Sequence, residues 1–498
     1  MNKLIVFIFV LTLGISSCKN DDHDFTPESS IAILLQNTGQ AYGKALSVDH
    51  EDNFYYTSLY EGNITGKSFT SAGIIDNYLA KHDKHGALIW EKSFGGAGSI
   101  TVGHGIDIDA DKNVYLTGYF GGETSPTSIT IDFGSGITTS SASGYDAFVC
   151  KYDASGNPEW AFSLGNATAL TEERTWDIIV EDDGDFYVSG AFSGTVNFDP
   201  LGSTAKNESV TGIGHFLAKY TSDGENIWVN AIEANINNVF TEGYTTVDFD
   251  QSGNVFLAGV YRNSLTIGSD NMTSAGQTDF FLASFDASNG NANWAKTFGG
   301  SGMDIVSPGA MRVNGLGEPH LTGRFSGTSN FGGTSLTSNS AGNTFVLACN
   351  TLGNTKWAIV HSSNSGLDGG HRVDFDAQNQ VYVAGWFRGA ASFDQSGTTV
   401  LTSKGTDNAS DVFLAKYNAS GQLDWAKAFG AVVSGGENLS ICAGLGVDSE
   451  GNAIITGKFY GTNADYDPSN TEELMFSSEG MDDCFTVKYN TNGNLYKF

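Results

Sequence analysis

Apolar residues along this chain come in short clusters of about five or six, each bounded by Gly, Asn, Asp or Ser. One stretch shows the pattern in full. Ile106-Asp107-Ile108-Asp109 is followed by a turn through Asp111-Lys112 and then by Asn113-Val114-Tyr115-Leu116-Thr117-Gly118. After a long Gly/Ser/Thr segment comes Asp146-Ala147-Phe148-Val149-Cys150-Lys151-Tyr152, and the turn Ala154-Ser155-Gly156 leads to Trp160-Ala161-Phe162. The clusters are rich in β-branched and aromatic residues, which predicts four short antiparallel strands joined by hairpins. No stretch sustains a helical period, so helix is expected to be nearly absent.

The same grammar returns along the chain. Trp90, Trp160, Trp228, Trp294, Trp357 and Trp425 are separated by 70, 68, 66, 63 and 68 residues, and Tyr496 lies 71 further on. A nearly fixed period means one structural unit copied many times. A glycine closes the second strand at Gly118, Gly190, Gly259, Gly323, Gly385 and Gly457, with Ser58 in the first copy. An aromatic stands in the third strand at Tyr78, Phe148, Phe216, Phe281, Phe345, Phe413 and Phe485. Both registers count seven. The predicted fold is therefore all-β, a seven-bladed β-propeller of four-stranded antiparallel blades, which leaves only short protected strand edges.

The motif Val-Asp-x-x-Gly-Asn-Val-Tyr-x-x-Gly, then Asp-x-Phe-x-x-Lys-Tyr, then Gly-x-x-x-Trp-Ala resembles the bacterial β-propeller repeat called SBBP, over roughly residues 40 to 498. That resemblance implies a propeller outside the cytoplasm and no single activity. Ring closure needs a special device, because the chain ends at Phe498, just after Tyr496, and the last outer strand is cut short. The segment Ile31-Ala32-Ile33-Leu34-Leu35 precedes the first copy and is expected to pair with the last blade.

Ahead of it, Lys3 and the apolar run Leu4 to Leu11 read as a secretory signal, too short for a stable membrane span. Ile15-Ser16-Ser17-Cys18 resembles a lipobox, with Cys18 as the lipidated residue and Ile15 where Leu is usual. The following Lys19-Asn20-Asp21-Asp22-His23-Asp24 resembles the surface-export signal of Bacteroidota lipoproteins. The expected domains are a signal peptide at 1–17, a lipid-anchored tether at 18–30 and the propeller at 31–498. The expected location is the outer membrane, lipid-anchored and exposed at the surface. A net charge of −31, from 25 basic and 56 acidic residues, repels phosphate backbones and excludes nucleic acid as a natural partner. Cys150, Cys349, Cys442 and Cys484 show no metal-like spacing and are expected as buried free thiols.

Two sets of residues are candidates for chemistry. A turn acid or amide recurs at Asp49, Asp109, Glu181, Asp250, Asn314, Asp376 and Asp448. Around two of these, Asp107, Asp109 and Asp111, and Asp248 and Asp250, imitate the spacing of calcium loops without the Glu at the twelfth position. The adopted reading is turn chemistry, since Asp and Asn bond their own backbone. Ca2+ is the alternative, and no other cofactor is indicated. A third-strand lysine at Lys81, Lys151, Lys219, Lys416 and Lys488 reads as scaffold, paired with a turn acid or snorkelling at the rim.

The second set departs from the repeat. Five residues before the turn acid or amide stand Lys44, His104, Trp176, Thr245, Gly309, His371 and Ala443, where the chain enters the inner ring. Tyr42, Arg174, Asp177, Tyr244 and Arg372 are neighbours. From these, Tyr42, Lys44, His104, Arg174, Trp176, Tyr244, His371 and Arg372 are the candidate ligand-binding residues, able to grip a carboxylate or a sugar. The loops between second and third strands share that face and are long, as at Gly121 to Tyr145 and Gly389 to Asn408, which is where recognition usually lives. No nucleophile elbow, zinc-protease motif or phosphate loop is present. The sequence thus points to a module that binds an envelope or extracellular protein, or a glycan. The alternative is a polysaccharide lyase or hydrolase using His104, Arg174 and His371 for proton transfer; a structural envelope role without a discrete ligand is the third reading.

Overall fold

In the computed structural model the chain forms a seven-bladed β-propeller. The structure describes residues 30–497 apart from 123–127, 143, 167–171, 339, 364–366, 405–408, 432–439, 470–473 and 480. Cys18 and the segment expected to be a signal peptide therefore lie outside the described residues. Blade one pairs Ala41–Val48, Phe54–Tyr60, Asp76–His82 and Leu88–Phe94 in order, antiparallel throughout. Five more blades repeat this, their first strands opening at Ile100, Arg174, Thr245, Asp304 and Gly369. First strands of successive blades pack against one another around the axis. Helix among the described residues is one turn, Val239–Glu242.

Closure follows the sequence reading and adds a detail. Blade seven contains Ile441–Val447, Ala453–Phe459 and Asp483–Tyr489, and its fourth strand is the N-terminal Ala32–Leu35. Ala32 stands opposite Val487 and Leu35 opposite Cys484. The C-terminal residues begin that same outer strand, with Leu495 bridged to Tyr489 and the Tyr496 amide donating to the Lys488 carbonyl. Ser30 then bridges to Lys497. The outer strand is spliced from both ends of the chain.

The repeated residues now have physical reasons. The hydrophobic core divides into seven clusters, each drawing on two adjacent blades, so the apolar side chains hold blade to blade and leave the axis to polar groups. Second-strand glycines face the third-strand aromatics directly, as in Gly118 opposite Phe148 and Gly259 opposite Phe281. Each fourth-strand tryptophan reaches the next blade's outer turn. Trp90 Nε1 donates to the Ala154 carbonyl at 3.1 Å, and Trp425 Nε1 to that of Thr491 at 3.0 Å. Cys150, Cys349, Cys442 and Cys484 are buried free thiols.

The turn acids cap their own turns. Asp109 accepts from the Asn113 amide at 2.8 Å and from Asn113 Nδ2 at 2.7 Å, and Asp250 accepts from the amides of Ser252 and Asn254. The third-strand lysines pair with them: Lys416 with Asp376 at 3.1 Å, Lys488 with Asp448 at 2.8 Å and Lys219 with Glu181 at 2.9 Å. Lys151 instead meets Glu159. Lys81, Lys151, Lys219 and Lys416 also lie over second-strand tyrosines, Lys416 4.7 Å from the Tyr382 ring centroid, while Lys488 lies over Tyr496.

The long second-to-third loops have a structural task that the sequence reading did not foresee. They fold into hairpins that reach back to the outer strand of the preceding blade. Thr328–Phe331 pairs with Gly299 and Gly300 of blade four, and Ala390–Ser392 with Ser362 and Ser363 of blade five. Bridges Gly95 to Asp132, Gly430 to Asp465 and Asn37 to Ile64 make the same clasp at other junctions. These loops are rim clasps before they are anything else.

Candidate functional site

The first strands explain how candidate side chains reach the axis. In blade one, Gly43 pairs with Ser58 and Ala45 with Thr57, leaving Lys44 as an extra residue without a partner across the ladder. His104 is the extra residue between Gly103 and Gly105, Trp176 between Thr175 and Asp177, and His371 between Gly370 and Arg372. Ala443 holds that place in blade seven. Such β-bulges re-aim one side chain and leave the rest of the strand in register. Blade five has a wider bulge, where residues 307–310 lie between Val306 and Met311. Blade four has none, with Thr245 paired regularly to Gly259.

The bulged residues surround a cavity of about 200 Å³ at the inter-blade end of the axis. Lys44, His104, Trp176 and His371 line it, and Tyr42, Tyr244 and Arg372 complete the set of sequence candidates found there. Arg174 does not line it. One residue earlier on its strand than the bulge pair, it is fully buried, with its guanidinium 3.6 Å from the Tyr119 ring centroid and 5.0 Å from that of Tyr145. The sequence reading missed Ser307, Pro308, Arg324 and Trp386, which also line the cavity. Arg324 and Trp386 directly follow the second-strand glycines Gly323 and Gly385, and that position was a usable signal.

One wall is an aromatic chain. His104 stacks on Tyr119 at 5.5 Å and meets Trp176 edge-on at 4.7 Å, and Trp176 meets Tyr244 at 5.0 Å. Trp176 is 3% exposed, and its indole N–H finds no acceptor among the described residues. Trp386 Nε1 donates to His371 Nε2 at 3.4 Å. The Arg372 guanidinium is held by the carbonyls of Pro308, His371 and Lys44.

The charge is one-sided. Lys44, Arg324 and Arg372 line the cavity, and no lining residue is acidic. Burial, with Lys458 and Arg372 adding repulsion, lowers the Lys44 ammonium to about 7. Burial brings Arg372 down to about 10 and lowers Arg324. Burial first, then the neighbouring cations, pushes His371 down to about 3 and His104 well below its usual value, so both imidazoles are neutral.

Below this cavity the calcium-loop candidates part company. Asp109 and Asp250 cap turns, and Asp111 is exposed. Asp107 and Asp248 turn inward with Asp374, each accepting a backbone amide from the next blade, at Val180, Val313 and Val447. Burial raises Asp107 and Asp374 to about 6 and Asp248 to about 7. Arg312 lies among them, 3.9 Å from Asp177. The five residues therefore do not converge on one point. Glu181, Asp183 and Asp185 form the one metal-sized acidic group among the described residues, and Lys219 already pairs with Glu181 and Asp185.

No family model matches the chain. It is 23% identical over 518 residues to an uncharacterized WD repeat-containing protein of Acanthamoeba polyphaga mimivirus, covering 86% of this chain and 36% of that relative. The chain thus spans little more than a third of the relative's length. Among solved structures, it is similar to quinohemoprotein alcohol dehydrogenase from Comamonas testosteroni, with TM-score 0.43, 11% identity and 94% and 77% of the two chains covered. The β-propeller domain of the trilobed protease from Pyrococcus furiosus gives TM-score 0.40 and 8% identity over 88% and 96% of the chains. BamB from Moraxella catarrhalis gives 0.34 and 11% over 92% and 99%.

Proposed function

We propose that this protein is a binding module that grips its partner in the axial cavity, the partner being an extracellular glycan or an envelope protein. The observation that carries the reading is the set of bulges. Lys44, His104, Trp176 and His371 occupy one bulge position in four blades, are of three residue types, and all line one cavity. A scaffold requirement would give the same residue in each copy. The SBBP-type repeat, lipid attachment at Cys18 and display on the outer membrane surface belong to the same proposal, resting on the sequence motifs described above.

The competing reading is a polysaccharide lyase or hydrolase. It needs a group that exchanges protons near neutral pH. His371 at about 3 and His104, also strongly lowered, hold protons too weakly to act as general acids there. Arg174 is buried behind Tyr119 and does not line the cavity. The deciding experiment incubates the soluble chain with a panel of polysaccharides and envelope proteins and measures both retention and cleavage products. Retention without products is the expected result; products that vanish on His104→Ala or His371→Ala would establish the enzyme instead.

A further inference from the structure

We propose that the axial cavity takes one carboxylate-bearing sugar ring, a hexuronic acid unit at the end of a glycan. The inference rests on the binding reading above and specifies its ligand class.

The first ground is an imbalance of charge. The chain carries a net charge of −31, yet the lining of this cavity holds three cations and no acid. Arg372 is tied to three backbone carbonyls, which leaves Lys44 and Arg324 to face the cavity space. Neither makes an ion pair within the protein among the described residues; Lys44 lies over the Tyr42 ring at 3.8 Å. Both are half-buried, and keeping such cations without counter-ions costs free energy unless a ligand supplies the charge.

The second ground is a donor without an acceptor. Trp176 lines the cavity, is 3% exposed, and has an N–H that meets no acceptor among the described residues. Buried donors are nearly always satisfied, so an unsatisfied one on a residue of the cavity wall is a candidate partner for a ligand oxygen. The cavity is therefore rich in donors and positive charge, and its complement is an acceptor-rich anion.

Size and wall chemistry choose the rest of the ligand. About 200 Å³ is below the range of roughly 300–1,000 Å³ typical of drug-sized ligands, so one ring fits and a larger group does not. Tyr42, Trp176, Tyr244 and Trp386 offer ring faces and edges to the apolar C–H side of a sugar. Phosphate is the weaker match, since a dianion is usually cradled by successive backbone N–H groups. The backbone groups that interact at this cavity are carbonyls, and Arg372 occupies them. A terminal unit is preferred to a long polyuronate because the acidic exterior repels a polyanion at distances within the Debye length of about 8 Å.

The test titrates the full soluble chain with glucuronic acid, galacturonic acid, glucose, acetate and inorganic phosphate. Calorimetry and intrinsic tryptophan fluorescence follow binding. The expected result is that one or both uronic acids bind at least about tenfold tighter than glucose, acetate or phosphate. Lys44→Gln, Arg324→Gln and Trp176→Phe should each weaken uronate binding by about tenfold, the last by removing the indole N–H while keeping a smaller aromatic ring. Thermal unfolding of each variant at the wild-type midpoint shows that the loss is local; for a variant that unfolds early, Arg324→Lys provides the conservative replacement. Glucose or phosphate binding as tightly as the uronates, uronate binding untouched by all three substitutions, or no uronate binding overturns the inference. The binding-module reading fails separately, if the panel of polysaccharides and envelope proteins gives no retention.

Discussion

Gly385 stands directly opposite Phe413, and a Cβ at Gly385 would lie 2.9 Å from that ring and 2.2 Å from the Gly369 carbonyl oxygen. The same relation recurs at Gly190 and Phe216 and at Gly323 and Phe345. The glycine is required first by the close approach of the first strand's carbonyl oxygen and then by the aromatic ring of the third strand. Replacing Gly385 by Ala should overpack the blade and destabilise the protein by about 1–3 kcal/mol. Urea unfolding midpoints check this, and an unchanged midpoint would show that the blade has slack the geometry does not suggest.

The spliced outer strand makes a second prediction. Ala32–Leu35 supplies four register positions to the last blade, and Ile31 accepts the Lys488 amide. Deleting residues 30–38 should lower the melting temperature markedly, because it exposes the edge of Asp483–Tyr489 and opens the ring. A chain permuted by joining the two ends beside the Ser30–Lys497 bridge should keep the wild-type midpoint.

The turn acids should respond as structural groups. Asp376 holds Lys416 at 3.1 Å and caps the amides of Gln378 and Gln380. Asp376→Ala leaves a buried lysine without its partner and should cost about 3–5 kcal/mol. Asp111→Ala, at an exposed position, should change stability by less than about 0.5 kcal/mol. Chelation by EDTA should leave the melting temperature unchanged, since Asp109 and Asp250 already accept protein donors; a fall of several degrees would favour the calcium alternative.

Binding of an acidic sugar should weaken as pH rises from 6 to 8.5. Lys44, lowered to about 7 by burial and by Lys458 and Arg372, is charged below that value and neutral above it. Of the groups facing it, Arg372 stays charged, Tyr42 is raised and stays neutral, and His104 is neutral throughout. Deeper in the channel, Asp107, Asp248 and Asp374 lose protons near 6 to 7, which adds negative charge and acts in the same direction. Lys44→Arg should remove most of the dependence, because a guanidinium keeps its charge across that range. Calorimetric affinities at the two pH values check it.

The sequence and the structure agree where the repeat itself carries the information. The glycine, the aromatic, the tryptophan and the turn acid each satisfy a demand repeated in six or seven blades, so their periodicity is visible in one chain. The truncated last copy also exposed the latch. The cavity was half legible. Lys44, His104, Trp176 and His371 stood out as departures from the pattern, but the bulges that aim them are a property of two strands' register and cannot be read from one strand. Arg174 shows the consequence. It lies two residues before the bulged Trp176 and packs on Tyr119 instead of lining the cavity. In blade one the equivalent position, two residues before the bulge, is Tyr42, which does line the cavity. Arg324 and Trp386 were missed because attention stayed on first strands, whereas these come from second strands just past the glycine.

The claim at the centre of this account is that ligand enters the axial cavity. Ala443, a bulged residue lining that cavity with no polar group to lose, offers the most direct test. An Ala443→Trp chain that keeps its melting temperature should fill the space, and its retention on the polysaccharide and protein panel should drop to background. Retention equal to wild type would place the binding surface elsewhere on the molecule and contradict the account.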